Sequence, residues 1–322
     1  MTTLKIDPWD PEYGGSVELD DDLTPPPVDL DVEDGGWEPR IGHSVSDIPC
    51  CAFVDGVRRI DVRLFAEQDA AVAPALAGSW AVGASWATQP PRIDNVHVGR
   101  ALVVGGGLSH PELIASLGAQ PFHYPCTSVA GTAPVDPIHG LQNLMREAEA
   151  VLAAEILEMD EADLLLLDGP LTYLSAEGPV VGLIKRQSRA YLPPERSGVL
   201  AELGCGARTP VFRIHHQRLE RYSWYVRIAG GRGIDGVMTG IVRLEVSSSL
   251  GMDRSVALAD LTASILPRFA SKIGRDPRAP QNLYPVGQLE TVLRHRLGDA
   301  TLLRRTLEAA IWRNLSKGMT DE

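Results

Sequence analysis

Cysteine is scarce and poorly spaced for chemistry. The four present, Cys50, Cys51, Cys126 and Cys205, form no Cys-x-x-Cys pair. Neither a zinc site nor a disulfide framework is expected, and buried free thiols are the better reading. No apolar run is long enough to cross a bilayer, and the N-terminus shows no basic-then-apolar signal pattern. We therefore expect a cytoplasmic protein with no membrane partner. A Gly-x-Ser-x-Gly nucleophile elbow is missing, which argues against the commonest kind of small-molecule hydrolase. Gly105-Gly106-Gly107 is not followed by Gly-Lys-Ser/Thr and does not fit a Gly-x-Gly-x-x-Gly frame, so it is not read as a phosphate loop. No internal repeat is visible.

An excess of basic charge is lacking too, with a net charge of −12. The distribution matters more than the sum. The first 40 residues contain twelve Asp or Glu against only Lys5 and Arg40, so they carry −10 and the remaining 282 residues carry −2. The body of the chain is nearly neutral and can hold local basic surfaces. Residues 1–45 also contain Pro25-Pro26-Pro27 and paired glycines. Such a segment buries too little apolar surface to offset its ordering entropy, and we expect an acidic arm that is disordered or loosely docked. Trp9, Tyr13 and Trp37 are its candidate anchors. An acidic arm of this kind can compete with DNA for a basic groove.

What is present is enough for a substantial core: 322 residues, 44% of them hydrophobic, suit one large α/β domain or two small ones. The stretch Asp163 to Leu171 (DLLLLDGPL) reads as a strand buried on both faces that ends at a sharp turn. Asp168 then sits at the carboxyl end of a central strand, where open α/β sheets bind ligands. A second run, Cys51-Ala52-Phe53-Val54, reads as a strand ending in Asp55-Gly56. An Asp-Gly pair is ordinary turn chemistry, but two matched strands each delivering an aspartate suggest a paired-carboxylate site.

Residues 137–159 have the clearest helical spacing, with Leu141, Leu144, Met145, Ala148, Leu152 and Ile156 on one face and glutamates on its flanks. This helix leads into the leucine-rich strand, an α/β unit of a covered sheet. A strand or tight hairpin is expected at 53–64, buried strand and turn structure at 70–87, and further strands at 96–98, 101–104, 180–184 and 242–246, with helices near 254–274, 286–297 and 300–316. Lys185, Arg186 and Arg189 follow one of these strands, where they can hold a backbone phosphate, and Tyr191 can stack on a base. Between residues 211 and 228, Arg213 and His215 can face DNA while Trp224 and Val226 pack inward.

Two aspartates on adjacent strands, joined by a glutamate from a helix, make an all-oxygen site suited to Mg²⁺ or Mn²⁺. Such a site performs phosphodiester hydrolysis by activating water and neutralising charge on the leaving oxygen. Asp55 and Asp168 fit, and Glu149 and Glu147 are the helix candidates.

The order FVDG, a helix containing Arg146-Glu147-Ala148-Glu149, LLLDGPL, VVGLIKRQSRAYL, YSWYVRI, VRLEV and Asn282 to Gly287 (NLYPVG) resembles the NurA nucleases over roughly residues 50 to 300. The resemblance implies an RNase H-like mixed sheet flanked by helices, spanning a nuclease domain at 46–322. It also implies a homodimer and Mn²⁺- or Mg²⁺-dependent DNA cleavage, from 5′ ends and within single strands. The expected partner is a HerA-type hexameric ATPase, in end processing or defence. The implied catalytic and metal-binding residues are Asp55, Asp168 and Glu149 (or Glu147). A further ligand is expected in the helix after Tyr284-Pro285, where Glu290 or His295 is available. A weakly active family member that serves mainly as a subunit of the ATPase is the alternative.

Overall fold

Small and β-branched residues dominate residues 51–104, and they form three long antiparallel strands: β1 (Cys51–Gln68), β2 (Ala71–Trp86) and β3 (Arg92–Val104). The structure, a computed structural model, describes residues 3–6, 26–42, 48–171, 173–174, 178–185, 190–215, 219–230, 236–272, 274 and 278–318. A two-residue turn joins β1 to β2. Both of its residues, Asp69 and Ala70, have positive φ (50° and 68°), the backbone that matches the twist of a tight hairpin.

The chain then crosses the sheet as helix α1 (Asp136–Met159) and returns as β4 (Leu164–Asp168), parallel to β1. Strand β5 (Val180–Ile184) lies parallel to β4. Beyond it, β6 (Phe212–Ile214), β7 (Arg221–Arg227) and β8 (Ile241–Ser247) extend the sheet antiparallel, in the order β6-β7-β8-β5-β4-β1-β2-β3. Short edge strands bring this mixed sheet to thirteen strands among the described residues.

Both faces are covered. Ala52, Val54, Leu165 and Leu167 pack against Met145, Leu152 and Ile156 of α1. The alternate residues Phe53, Leu164 and Leu166 pack on the other face, against α2 (Met252–Ile265). Two more helices cover that second face, α3 (Tyr284–Arg296) over Val57 and Ala81 and α4 (Ala300–Gly318) over Val62 and Leu64. Leu164, Leu165 and Leu166 are each at most 1% exposed, and each such burial contributes about 1.5–3 kcal/mol relative to exposure. This is the two-sided burial expected of the leucine run.

Several expectations need correction. The first strand does not end at Asp55-Gly56; it continues to Gln68, with Asp55 opposite Gly83. Gly56 serves closeness rather than a turn, because a Cβ there would stand 2.5 Å from Glu149 Oε1 and 2.9 Å from Met145 Cγ. The segments at 96–98 and 101–104 are one strand. The helix expected to reach 274 stops at Ile265, and a 3₁₀ turn containing Pro267 follows, since proline cannot continue the hydrogen-bond ladder. Part of the acidic arm is built into the sheet: Thr3–Ile6 pairs with the end of β1 and Val28–Asp29 pairs with β6. Glu33 accepts from Arg208 at 3.0 Å and from the Val211 amide at 2.5 Å, and Trp37 donates to the Arg196 carbonyl at 3.0 Å. Trp9, Tyr13 and the boundary near residue 45 lie outside the described residues.

Helix α1 lies close to the sheet because glycines face it. A Cβ on Gly78 would run into Leu141 Cδ2 and stand 3.1 Å from the Arg59 carbonyl. Gly78→Ala should therefore cost about 1–3 kcal/mol through overpacking. Thermal denaturation checks this, and an unchanged melting temperature would show that the helix has room to shift.

Candidate metal centre

Parallel pairing sets the site. Leu167 of β4 is in register with Val54 of β1, so the next residues, Asp168 and Asp55, leave the two strands at one level. Alternation along a strand places Asp55 on the same face as Phe53, towards α3. That helix contributes Glu290, and one carboxylate oxygen from each of Asp55, Asp168 and Glu290 lies within 4.8 Å of the others. Two like charges this close repel by roughly 3 kcal/mol at an effective dielectric of about 20.

The cluster is partly compensated by the chain itself. Lys185, just past β5, donates through Nζ to Asp168 Oδ2 and to Asn282 Oδ1, both at 2.6 Å. Arg278 grips Glu290 with two bonds, at 2.5 and 2.8 Å, and Arg294 adds a third at 3.2 Å. Asp55 is the least satisfied member. Its Oδ1 accepts from the Gly56 amide at 2.8 Å, whereas its Oδ2 is buried without a hydrogen-bond partner among the described residues. Burial, and next the charge of Asp168, push the Asp55 carboxyl well above the usual range, and Lys185 offsets only part of this. An orphaned buried oxygen beside two further carboxylates is the donor set of a hard divalent cation.

Glu149 approaches differently. It lies on the buried face of α1, on the side of the sheet that Gly56 leaves open. With Arg146, Asp168, Gly169 and Tyr173 it lines a cleft at the end of β4. Burial, followed by the charge of Asp168, raises its carboxyl to about 8.

The expected site residues thus separate. Asp55, Asp168 and Glu290 come together, Glu149 reaches the cleft from the opposite face, and Glu147 and His295 are exposed and point elsewhere. Lys185 lies among the carboxylates. Tyr191 has Arg243 over its ring at 4.3 Å. Arg186 and Arg189 lie outside the described residues. Arg213 sits over the Tyr222 ring at 5.2 Å, and His215 is 3.1 Å from Glu220; Trp224 and Val226 are buried as expected. The amides of Gly105, Gly106 and Gly107 are spent on the carbonyls of Pro74, Gly131 and Val129, so this loop cradles no phosphate.

Sequence reasoning missed the supports. Asn282 is fully buried and anchors Lys185. Glu245 accepts from the Leu171 amide at 2.9 Å and from Arg221 and Arg243, each at 2.7 Å. Burial opposes its charge, but the two arginines hold its carboxyl below the usual value, and the loop after Asp168 is thereby fixed. The only signal of this network in the sequence is the alternation Arg243-Leu244-Glu245, a charged pair inside an otherwise apolar strand.

A family model described as the NurA domain matches residues 132–292, half of the chain. The match takes in α1, β4, β5 and most of α3, and it leaves out β1 with Asp55. No curated protein matches the chain.

The raised carboxyl of Glu149 has a consequence for stability. Between about 4.5 and about 8 the folded protein holds a proton that the unfolded chain releases, so stability falls as pH rises through that window. Glu149→Gln should flatten the fall and raise the metal-free melting temperature at pH 8 by about 2–6 °C. Melting curves at pH 5 and pH 8 check this; a variant less stable than the parent at pH 8 would refute the assignment.

Proposed function

The chain belongs to the NurA family of nucleases, and from that premise we propose that it is a metal-dependent deoxyribonuclease. The observation that carries the reading is the cluster of Asp55, Asp168 and Glu290, with an orphaned oxygen on Asp55. These three residues would hold Mn²⁺ or Mg²⁺, for which an all-oxygen donor set is equally suited. When bound, the cation supplies Lewis-acid activation of water and of the phosphodiester.

The chain's own groups do the rest. Glu149, lining the cleft beside Asp168, takes the proton of the attacking water on its carboxylate, a role suited to a carboxyl near neutral pH. Lys185 Nζ, next to Asp168, donates to a non-bridging phosphate oxygen. Asn282 orients that ammonium, and Glu245 fixes the loop after Asp168 through the Leu171 amide. Lys185, Arg186, Arg189 and Tyr191 form the proposed DNA contact. No helix among the described residues is long and apolar enough to cross a membrane.

The order β3-β2-β1-β4-β5, with three antiparallel strands and then two parallel ones, supports an RNase H-like assignment for the core. Family membership supports the wider proposal: a homodimer that degrades DNA from 5′ ends, cuts single strands, and works with a HerA-type ATPase in end processing or defence.

One observation favours the second reading, a weakly active subunit serving the ATPase. The chain's own cations already engage two of the three carboxylates, Lys185 at Asp168 and Arg278 at Glu290. A cleavage assay on labelled single- and double-stranded DNA with Mn²⁺ separates the two. Cleavage by the parent, lowered by at least about 100-fold in Asp168→Asn as expected for a group acting on the transition state, supports the nuclease. No cleavage by either, even with a HerA-type ATPase, would leave the subunit reading.

A further inference from the structure

The cleft beside Asp168 is lined by Arg146 of α1, and one turn back along that helix Gln142 meets a second arginine, Arg58. Gln142, Arg146 and Glu149 fall on one stripe of that helix, spanning about 10 Å of its axis. Across from them, Arg58 of β1 faces α1 and donates through Nε to Gln142 Oε1 at 2.5 Å. This bond leaves both Nη atoms of Arg58 without a hydrogen-bond partner among the described residues. Arg146 makes no hydrogen bond and no ion pair among those residues, although it lines the cleft with Glu149 and Asp168.

Two neighbouring guanidinium groups that make no ion pair among the described residues are unfavourable in a half-buried position, even though the Glu149 carboxyl lies within reach of the charge of Arg146. Each loses solvation, and each repels the other. Burial, and next the charge of Arg146, hold Arg58 below its ordinary pKa, in keeping with a position short of an anion. The buried arginines elsewhere in the fold are matched: Arg208 meets Glu33 and Asp260, and Arg243 meets Glu245. A planar guanidinium with its Nη edge open matches the two oxygens of a phosphodiester.

We propose that Arg58 and Arg146 form a phosphodiester-binding subsite that holds the backbone of single-stranded DNA alongside α1. The stripe from Gln142 to Glu149 then guides one or two nucleotides towards Asp168. The choice of DNA as the ligand rests on the nuclease reading; the anion site rests on two adjacent arginines that make no ion pair among the described residues.

Binding tested without catalysis keeps the two apart. A fluorescein-labelled single-stranded oligonucleotide is titrated with the full-length protein in EDTA, at several salt concentrations, and followed by anisotropy. Replacing both arginines (Arg58→Gln with Arg146→Gln) should weaken binding about tenfold and reduce the slope of log K against log salt by about 1.4, or about 0.7 for each phosphate no longer neutralised. Arg146→Gln alone should produce about half of that slope change, and it carries the test if the double variant fails to fold. Arg146→Lys should keep the slope while weakening affinity. Unchanged affinity and slope in the glutamine variants, or no binding of the oligonucleotide by the parent protein, would overturn the proposal. Weakened binding of the expected size supports the subsite whether or not the parent cuts DNA with Mn²⁺.

Discussion

The parallel pairing of β1 with β4 is the constraint on which the rest of the site depends. It brings two aspartates to one level in the middle of a sheet, where neither can move away and little water can screen them. Lys185 answers Asp168, and arginines answer Glu290, but Asp55 keeps one oxygen without a partner among the described residues. A buried carboxylate in that state is destabilising. The fold supports it because long hydrogen-bonded strands and a dense leucine core surround it on both faces.

The same economy of space governs α1. Glycines at positions 56 and 78 let the helix lie close to the sheet. That approach carries Glu149 to the cleft and lifts its carboxyl to about 8. The supports around the site share a pattern: Asn282, Arg278 and Glu245 each fix a group that is itself near the carboxylates. Together they hold Lys185, Glu290 and the loop after Asp168 in place, an arrangement that suits chemistry dependent on preorganised charge.

How much of this is legible in the sequence varies with the range of the interaction. Asp168 is found from purely local pattern, four leucines and an Asp-Gly-Pro. Asp55 is located through an Asp-Gly read as a turn, yet the strand runs on, because a glycine inside a strand and one ending it look alike without the helix that packs on it. That Glu149 is buried and Glu147 exposed is present in the spacing: 145, 149, 152 and 156 are one helical face, and 147 is off it. The same holds for Glu290, which shares a face with Val286 and Leu293 while His295 does not. Lys185 with Asn282, 97 residues apart, and Glu245 with Leu171, 74 apart, are pairings that no local period announces. The sheet-bound part of the acidic arm is of this kind too, since Glu33 is fixed by Arg208 at long range.

The central claim is that Asp55 is kept in a strained charge environment for the sake of a cation. Melting temperature during a Mn²⁺ titration, for the parent and for Asp55→Asn at pH 8, measures this directly. Without metal the variant should melt higher than the parent, because the repulsion and the buried charge are gone. Mn²⁺ should stabilise the parent, by about 2.7 kcal/mol at a hundredfold excess over its Kd, and leave the variant little changed. A variant that melts lower without metal and is stabilised by Mn²⁺ as strongly as the parent would contradict the account.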